Sequence, residues 1–236
     1  MRAEDFSPNR LEAAKGTLRE FVRARRNDRI ALVVFAGDAF LQCPLTLDHE
    51  ALGKLIQDAD FELAETEGTA IGDALAKAAA RLKDSSAQSR IIILLTDGEN
   101  NRGNIDPLTA ARAAAALGIR VYTVGVGGKS GAPIPIDDPV YGRLYLRNPD
   151  RTLLLTTIDE GALREIAAVT GGRYFNASDK AALDAIYQEI DRLERSKLET
   201  RLPPAYQSVS HWFYLAAAAL ILLEGVLSRT LLRVLP

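Results

Sequence analysis

The stretch that most constrains this chain is Ile91-Ile92-Ile93-Leu94-Leu95-Thr96, closed by Asp97-Gly98. Five consecutive large apolar side chains, the first three β-branched, leave no face for water, as in a strand covered on both sides. Asp-Gly then stops the run as a turn. Strands covered on both sides belong to parallel sheets sandwiched between helices, so this run already argues an α/β fold. It also sets a carboxylate just past the carboxyl end of an inner strand, the edge at which open α/β sheets bind ligands. The plainer alternative for Asp97 is a turn cap.

The rest of the chain keeps the same alternation. Pro8 opens a helix in which Leu11, Ala14, Leu18, Phe21 and Val22 recur at helical spacing, ending at Asn27-Asp28. Arg29 to Phe35 reads as a second buried strand, and Ala39 to Leu45 returns beside it as a hairpin, with Pro44 marking an edge. Asp48 caps a helix to about Asp58, with His49 an ordinary helix-start residue. Ala70 to Leu82 is a helix with Ile71, Leu75, Ala78, Ala79 and Leu82 on one face. Asp106-Pro107 starts an alanine-rich helix that ends at Gly118, and Arg120 to Val126 is a third buried strand. Asp159 caps a helix through Thr170, Arg173 to Asn176 is a last short strand, and Asp179 caps a helix to about Lys197. The expected class is therefore α/β: a Rossmann-like, mostly parallel sheet between helices, with right-handed crossovers. Residues 127–157, with four prolines, break the rhythm; Val140–Leu146 and Thr152–Thr156 read as a β-ribbon inserted into it.

Composition removes several functions. A net charge of -2 gives no basic surface for nucleic acid. The single cysteine, Cys43, excludes an internal disulfide and a multi-cysteine metal site, and reads as a packed thiol. The two histidines, His49 and His211, lack metal spacing and support no Ser-His-Asp or Cys-His pairing. The start, Met1 to Asp5, is too polar for a signal peptide. From Trp212 to Leu227 only Glu224 is charged, and Trp212-Phe213-Tyr214 form an aromatic cluster at one end. We expect a transmembrane helix at 212–232 behind a linker at 201–211 containing Pro203-Pro204, although Glu224 costs it about 2–3 kcal/mol on insertion. A helix lying on the membrane surface is the alternative. Lys197 and Arg201 on one flank balance Arg229 and Arg233 on the other, so the charges do not orient the span.

Two loops carry the chemistry. Gly68-Thr69 places a hydroxyl before a helix N-terminus, Asp97 lies past the inner strand, and Glu65, Glu67 and Glu99 crowd both loops. A hydroxyl and a carboxylate, completed by water, suit a hard divalent cation such as Mg²⁺ and leave a position open for a partner's carboxylate. Ile91–Gly98, Gly68-Thr69-Ala70-Ile71-Gly72, Arg29–Phe35, Asn9–Lys15 and Val121–Gly127, in this order and spacing, resemble a von Willebrand factor A (VWA) domain. The ribbon and the apolar tail narrow the resemblance to bacterial membrane proteins of the Bat aerotolerance type. It covers about 1–200 as the domain and the tail as the anchor.

The resemblance implies a metal-ion-dependent adhesion site of three loops: an Asp-x-Ser-x-Ser motif, a Thr and an Asp. Thr69 and Asp97 match the second and third and are the expected ligands of Mg²⁺ or Mn²⁺. The first motif is absent, and Met1 falls where the methionine that follows it belongs; Asp84-Ser85-Ser86-Ala87-Gln88 ends in Gln and lies at a helix end, so it is no substitute. Two protein ligands would leave Mg²⁺ mostly hydrated and weakly held. The family's first, central strand is absent as well, so the strands starting at Arg29 and Arg90 lose their shared neighbour, at about 1–3 kcal/mol for each buried group left unpaired. The expectation is a fragment begun at an internal methionine.

What the resemblance implies for function is an interaction module, not an enzyme. It would hold a partner through that partner's carboxylate, beside a MoxR-type ATPase and sister VWA membrane proteins. Its expected place is the bacterial inner membrane, by a single C-terminal span, with the domain on the periplasmic side. Glu99 is a candidate rim contact, Asp73 complements its helix dipole, and the 127–157 ribbon is either a specificity element or an edge cover. The alternative function is a Mg²⁺-dependent phosphohydrolase of the haloacid-dehalogenase kind, but that class needs an Asp-x-Asp at the end of its first strand, and the one Asp-x-Asp here, Asp58-Ala59-Asp60, lies at a helix end. Gly125-Val126-Gly127-Gly128 leads into a proline-rich ribbon rather than a helix, which sets aside a dinucleotide site.

Overall fold

The computed structural model describes residues 1–25, 27–63, 66–128, 130–138 and 142–201, with positions 217, 220, 221 and 224 beyond them. The chain divides into Met1–Ser196 and Lys197–Pro236, and the architecture that follows is that of the first unit. Its elements in order are α1 (Arg10–Ala24), β1 (Ile30–Phe35), β2 (Ala39–Thr46), α2 (His49–Asp58), α3 (Ile71–Leu82), β3 (Ile91–Thr96), α4 (Pro107–Ala116), β4 (Arg120–Val126), β5 (Pro135–Asp138), β6 (Gly142–Tyr145), α5 (Glu160–Val169), β7 (Tyr174–Ala177) and α6 (Lys180–Arg201).

Helix starts follow from side-chain caps. Asp48, Asp106 and Asp159 each accept from the backbone N–H three residues on, at 2.9, 2.8 and 2.9 Å, satisfying a donor the helix cannot. At α1 the expectation is corrected: Asn9, not Pro8, sets the boundary, its Oδ1 accepting from Glu12 N–H at 2.9 Å.

The parallel sheet lies between helices, as expected, but in two pieces. β3, β4 and β7 are parallel, with Ile91–Thr96 in register with Arg120–Gly125 and Thr123–Val126 with Tyr174–Ala177. β1 and β2 form a separate antiparallel hairpin. Alternation along the strands feeds two helical layers. Ile92, Leu94 and Val121 pack with Ile71, Leu75, Ala111, Leu163 and Ile166 of α3, α4 and α5. Tyr122, Val124 and Val126 pack on the other face with Ala13 and Ala14 of α1 and Leu183, Tyr187 and Ile190 of α6. A third cluster, Val22, Cys43, Leu52 and Ile56, seals the hairpin beneath α1 and α2, so Cys43 is a packed thiol, and burial pushes its pKa up.

β1 departs from the buried strand expected of it: all six of its residues are only half-buried. The cause is pairing on one side. β1 hydrogen-bonds to β2 but not to β3, so only one of its edges is paired with a strand among the described residues.

The ribbon is also corrected. β5 pairs with β6, Ile136 opposite Leu144, and 152–156 joins through isolated bridges, Pro133 to Leu155 and Arg147 to Leu153. The strand expected over Val140–Leu146 is observed only from Gly142, whose φ of +72° suits glycine, and Val140 lies outside the described residues. Among the described residues no helix is long and apolar enough to cross a membrane. The linker and span expected at 201–211 and 212–232 fall almost wholly outside those residues.

Candidate functional site

Thr69 and Asp97 lie on neighbouring loops at the carboxyl end of β3. A Cβ built on Gly98 would stand 3.1 Å from Thr69 Oγ1, so the two loops touch. The contact is fixed by amides. Asn101 Oδ1 accepts from Thr69 N–H at 2.8 Å, and Asn101 N–H returns to the Thr69 carbonyl at 3.1 Å. Asn100 Oδ1 accepts from Ile71 N–H at 2.8 Å and caps α3, whose own N-cap residue, Ala70, has no polar side chain. Ala70 N–H donates to the Ala36 carbonyl at 2.6 Å, which ties the same loop to the end of β1.

Asp73 complements the dipole of α3 and also accepts from the N–H groups of Asn104 and Ile105, at 3.1 and 2.9 Å. Gly72 lets the helix approach that loop: a Cβ there would fall 1.8 Å from the Ile105 carbonyl oxygen. These contacts explain the Gly-Thr-Ala-Ile-Gly spacing. Thr presents its hydroxyl, Ala and Ile enter the core, and Gly makes room for backbone.

Asp97 is held by cations of its own chain. Its Oδ2 accepts from the Met1 ammonium group and, at 3.2 Å, from Arg10 Nη1. Arg10 is fully buried and forks onto Asp5 with two bonds of 2.7 Å. Gly127, at φ +137°, supplies the seat: a Cβ there would meet Arg10 Nη2 at 2.3 Å. Burial works against the Arg10 charge, but Asp5 and Asp97 outweigh it and the guanidinium titrates above its ordinary value. Burial also works to raise Asp5, and its bonds from Arg10 and from the backbone of Gly128 overcome this, holding it below the usual carboxylate range.

Arg10, Asp5, Asn100 and Asn101 were missed by sequence reasoning. The asparagines stood in plain view, since Glu-Asn-Asn after Asp-Gly is turn chemistry. Nothing in the helical periodicity marks Arg10 as a buried residue. Glu99 is exposed on the site rim, Glu67 is exposed in the Thr69 loop, and Glu65 lies outside the described residues.

For a divalent cation the residues of this chain fall short. Among the described residues they bring together one hydroxyl and one carboxylate, and Oδ2 of that carboxylate already accepts from Arg10 at 3.2 Å. Among the described residues no cluster of three or more His, Cys, Asp or Glu side chains is placed to hold a metal. Held by Thr69 and Asp97 alone, Mg²⁺ would keep most of its water and bind weakly.

A parallel sheet between helices, with a Thr loop and an Asp loop zipped together at its carboxyl edge, defines a class, and the family comparison agrees. The von Willebrand factor type A domain matches residues 1–189, and the chain belongs to that family. Within it, the likeness is to Bat-type proteins. BatB of Bacteroides thetaiotaomicron is 37% identical, with a TM-score of 0.72 over 83% of this chain and 93% of that one. An aerotolerance-related membrane protein of Bacteroides fragilis is 33% identical, with a TM-score of 0.71 over 81% and 91%. A UPF0353 protein of Nocardia farcinica is 30% identical over 81% of this chain and 58% of its own length. An uncharacterized protein of Borreliella burgdorferi is 28% identical over 99% of this chain and 67% of its own. This chain thus spans between about half and two thirds of the length of these last two relatives. A mussel byssus matrix protein with a zinc-occupied metal-ion-dependent adhesion site shares the fold at 19% identity and a TM-score of 0.56.

Proposed function

We propose that this chain is a membrane-anchored protein-interaction module that engages its partner across the Thr69–Asp97 edge of the sheet. The observation that carries the reading is the convergence of those two loops at the carboxyl end of β3 in a chain of the VWA family. The proposed partner presents a carboxylate. Its proposed setting is a MoxR-type ATPase with sister VWA membrane proteins, at the bacterial inner membrane, with 212–232 as the anchor and the domain on the periplasmic side. Bridging of the partner by Mg²⁺ or Mn²⁺ needs donors of the Asp-x-Ser-x-Ser kind in addition to Thr69 and Asp97. No step through a metal is assigned to the two ligands present. No observation supports the phosphohydrolase alternative, since the one Asp-x-Asp, Asp58-Ala59-Asp60, stands at the end of α2 and not at the end of a strand.

The test is binding of the full chain, reconstituted in lipid nanodiscs, to the MoxR-type ATPase of its own genome by biolayer interferometry. Asp97→Asn weakens the hold on the Met1 ammonium group and Arg10 at the edge and so disturbs the surface the partner meets; it should weaken that binding at least about tenfold. Asp84→Ala, far from the edge in sequence, should leave it unchanged. Equal affinities for wild type and Asp97→Asn, or no binding at all, would overturn the reading.

A further inference from the structure

The ribbon carries apolar surface that the domain does not cover. Ile136, Leu144, Tyr145, Leu153, Leu154 and Leu155 are each 37–43% exposed. All four residues of β6 are exposed. Leu153 to Leu155 are consecutive in an extended segment, so they point to alternate sides, and both sides are open. A small ribbon without a packed face is marginal in water. Contiguous apolar surface of this kind marks an interaction site.

Charge indicates what covers it. Arg147 and Arg151 are exposed and form no ion pair among the described residues; Arg147 Nη1 donates instead to the Arg151 carbonyl at 2.8 Å. Arg151 itself sits at φ +67°, a conformation that a non-glycine side chain adopts at a cost and that fixes where its guanidinium leaves the turn. The ribbon is also continuous with the candidate site. Arg143 pairs with Glu4, next to the Asp5 that holds Arg10. A cleft of about 380 Å³ runs from Glu99 on the Asp97 loop to Leu155 and Thr156 at the ribbon's base, past Ser130, Glu160 and Asn176.

We infer that the ribbon docks a protein segment in which apolar side chains are interspersed with carboxylates. The leucines and Tyr145 receive its apolar side chains, and Arg147 and Arg151 receive its acids. This rests on the interaction-module reading and extends it from one edge of the sheet to the surface beside it. An anionic bilayer fits less well, because a plane covers one side of a ribbon open on two.

The experiment uses the full chain in nanodiscs and two fluorescein-labelled peptides, one alternating leucine with glutamate and one alternating leucine with lysine, read by fluorescence anisotropy. The glutamate peptide should bind and the lysine peptide should not. The double charge reversal Arg147→Glu with Arg151→Glu, both at exposed positions, should weaken the glutamate peptide about tenfold or more and admit the lysine peptide. Leu153→Ser with Leu155→Ser should weaken the glutamate peptide without favouring the lysine one. Three results would each overturn the inference: glutamate-peptide binding indifferent to the charge reversal; no peptide binding, with binding to phosphatidylglycerol vesicles lost in the same variants; or a dimer of this chain that those variants dissolve. If Asp97→Asn abolishes ATPase binding while the ribbon variants leave ATPase and peptide binding unchanged, the module reading stands and the ribbon inference falls.

Discussion

Replacing Arg10 with methionine tests whether the edge of the sheet is assembled around that one guanidinium. The methionine keeps most of the volume of the stem and removes the fork, so little of the effect is a cavity. The lost contacts are two charge-assisted bonds of 2.7 Å to Asp5 and one of 3.2 Å to Asp97. Removing one partner of a buried ion pair costs about 3–5 kcal/mol. The orphaned Asp5 and Asp97 side chains are 25% and 15% exposed, so water recovers part of this. That leaves a loss of about 2–3 kcal/mol at pH 7, or about 4–12 °C in Tm for a domain of this size.

The pH dependence carries the sign. Asp5 is held below its unfolded value, so its contribution is complete above the unfolded carboxylate pKa of about 3.9 and is lost as pH falls through the lower folded value. In Arg10→Met that depression is gone. The stability gap between wild type and variant should therefore be widest above about pH 5 and shrink below about pH 4. Urea denaturation at pH 7 and again at pH 3, followed by circular dichroism, measures both. A gap under about 1 kcal/mol at neutral pH, or one that does not narrow in acid, would refute the reasoning. Arg10→Lys should fall between, because a single ammonium cannot reproduce the fork.

Three further outcomes follow from the same structure. Gly72→Ala should destabilise by about 1–3 kcal/mol, because its Cβ meets the Ile105 carbonyl; a rise in Tm, as helix propensity alone would give, would show that α3 can move away. Glu194, buried, accepts from Tyr122 Oη at 2.5 Å and Ser89 Oγ at 2.7 Å and pairs with Arg120, so Glu194→Ala should cost about 2–4 kcal/mol. In a double-mutant cycle with Tyr122→Phe the two losses should couple by about 1 kcal/mol, and strict additivity would deny the contact. Mg²⁺ at 1 mM should raise the Tm of this chain by no more than about 2 °C, the shift for a Kd no tighter than that concentration; a larger rise, abolished by Asp97→Asn, would mean that two ligands suffice.

Much of the fold is legible because strand and helix periods are local. β3 announces itself by an unbroken apolar run and β4 by Val121, Val124 and Val126, and Asp48, Asp106 and Asp159 mark their helices by a cap and the spacing that follows. The ribbon was less readable. Val140–Leu146 alternates well enough to pass for one strand, and only the backbone shows that β6 starts at Gly142 and that its partner β5 lies before it. The site was half legible. Thr69 and Asp97 stand at element ends where ligands bind, but a buried arginine has no signature: Arg10 shares its helix with Arg19 and Arg23, and only tertiary contact with Asp5, Asp97 and Gly127 separates it from them.

What joins the two sheet pieces also explains how the site keeps its shape. No ladder crosses from β1 to β3, so the pieces are held by side chains, with Leu18 of α1 packed against two of the three core clusters and Phe35 of β1 against the third. Apolar packing is non-directional and tolerates a gap, but it does not set a loop to within a fraction of an ångström. Hydrogen bonds do. The spacing of Thr69 from Asp97 therefore rests on Asn100 and Asn101, which clamp the Thr loop to the Asp loop, and on the Ala70–Ala36 bond, which clamps it to β1. The geometry of the edge is written into a few polar contacts between its loops and does not depend on a ladder between β1 and β3.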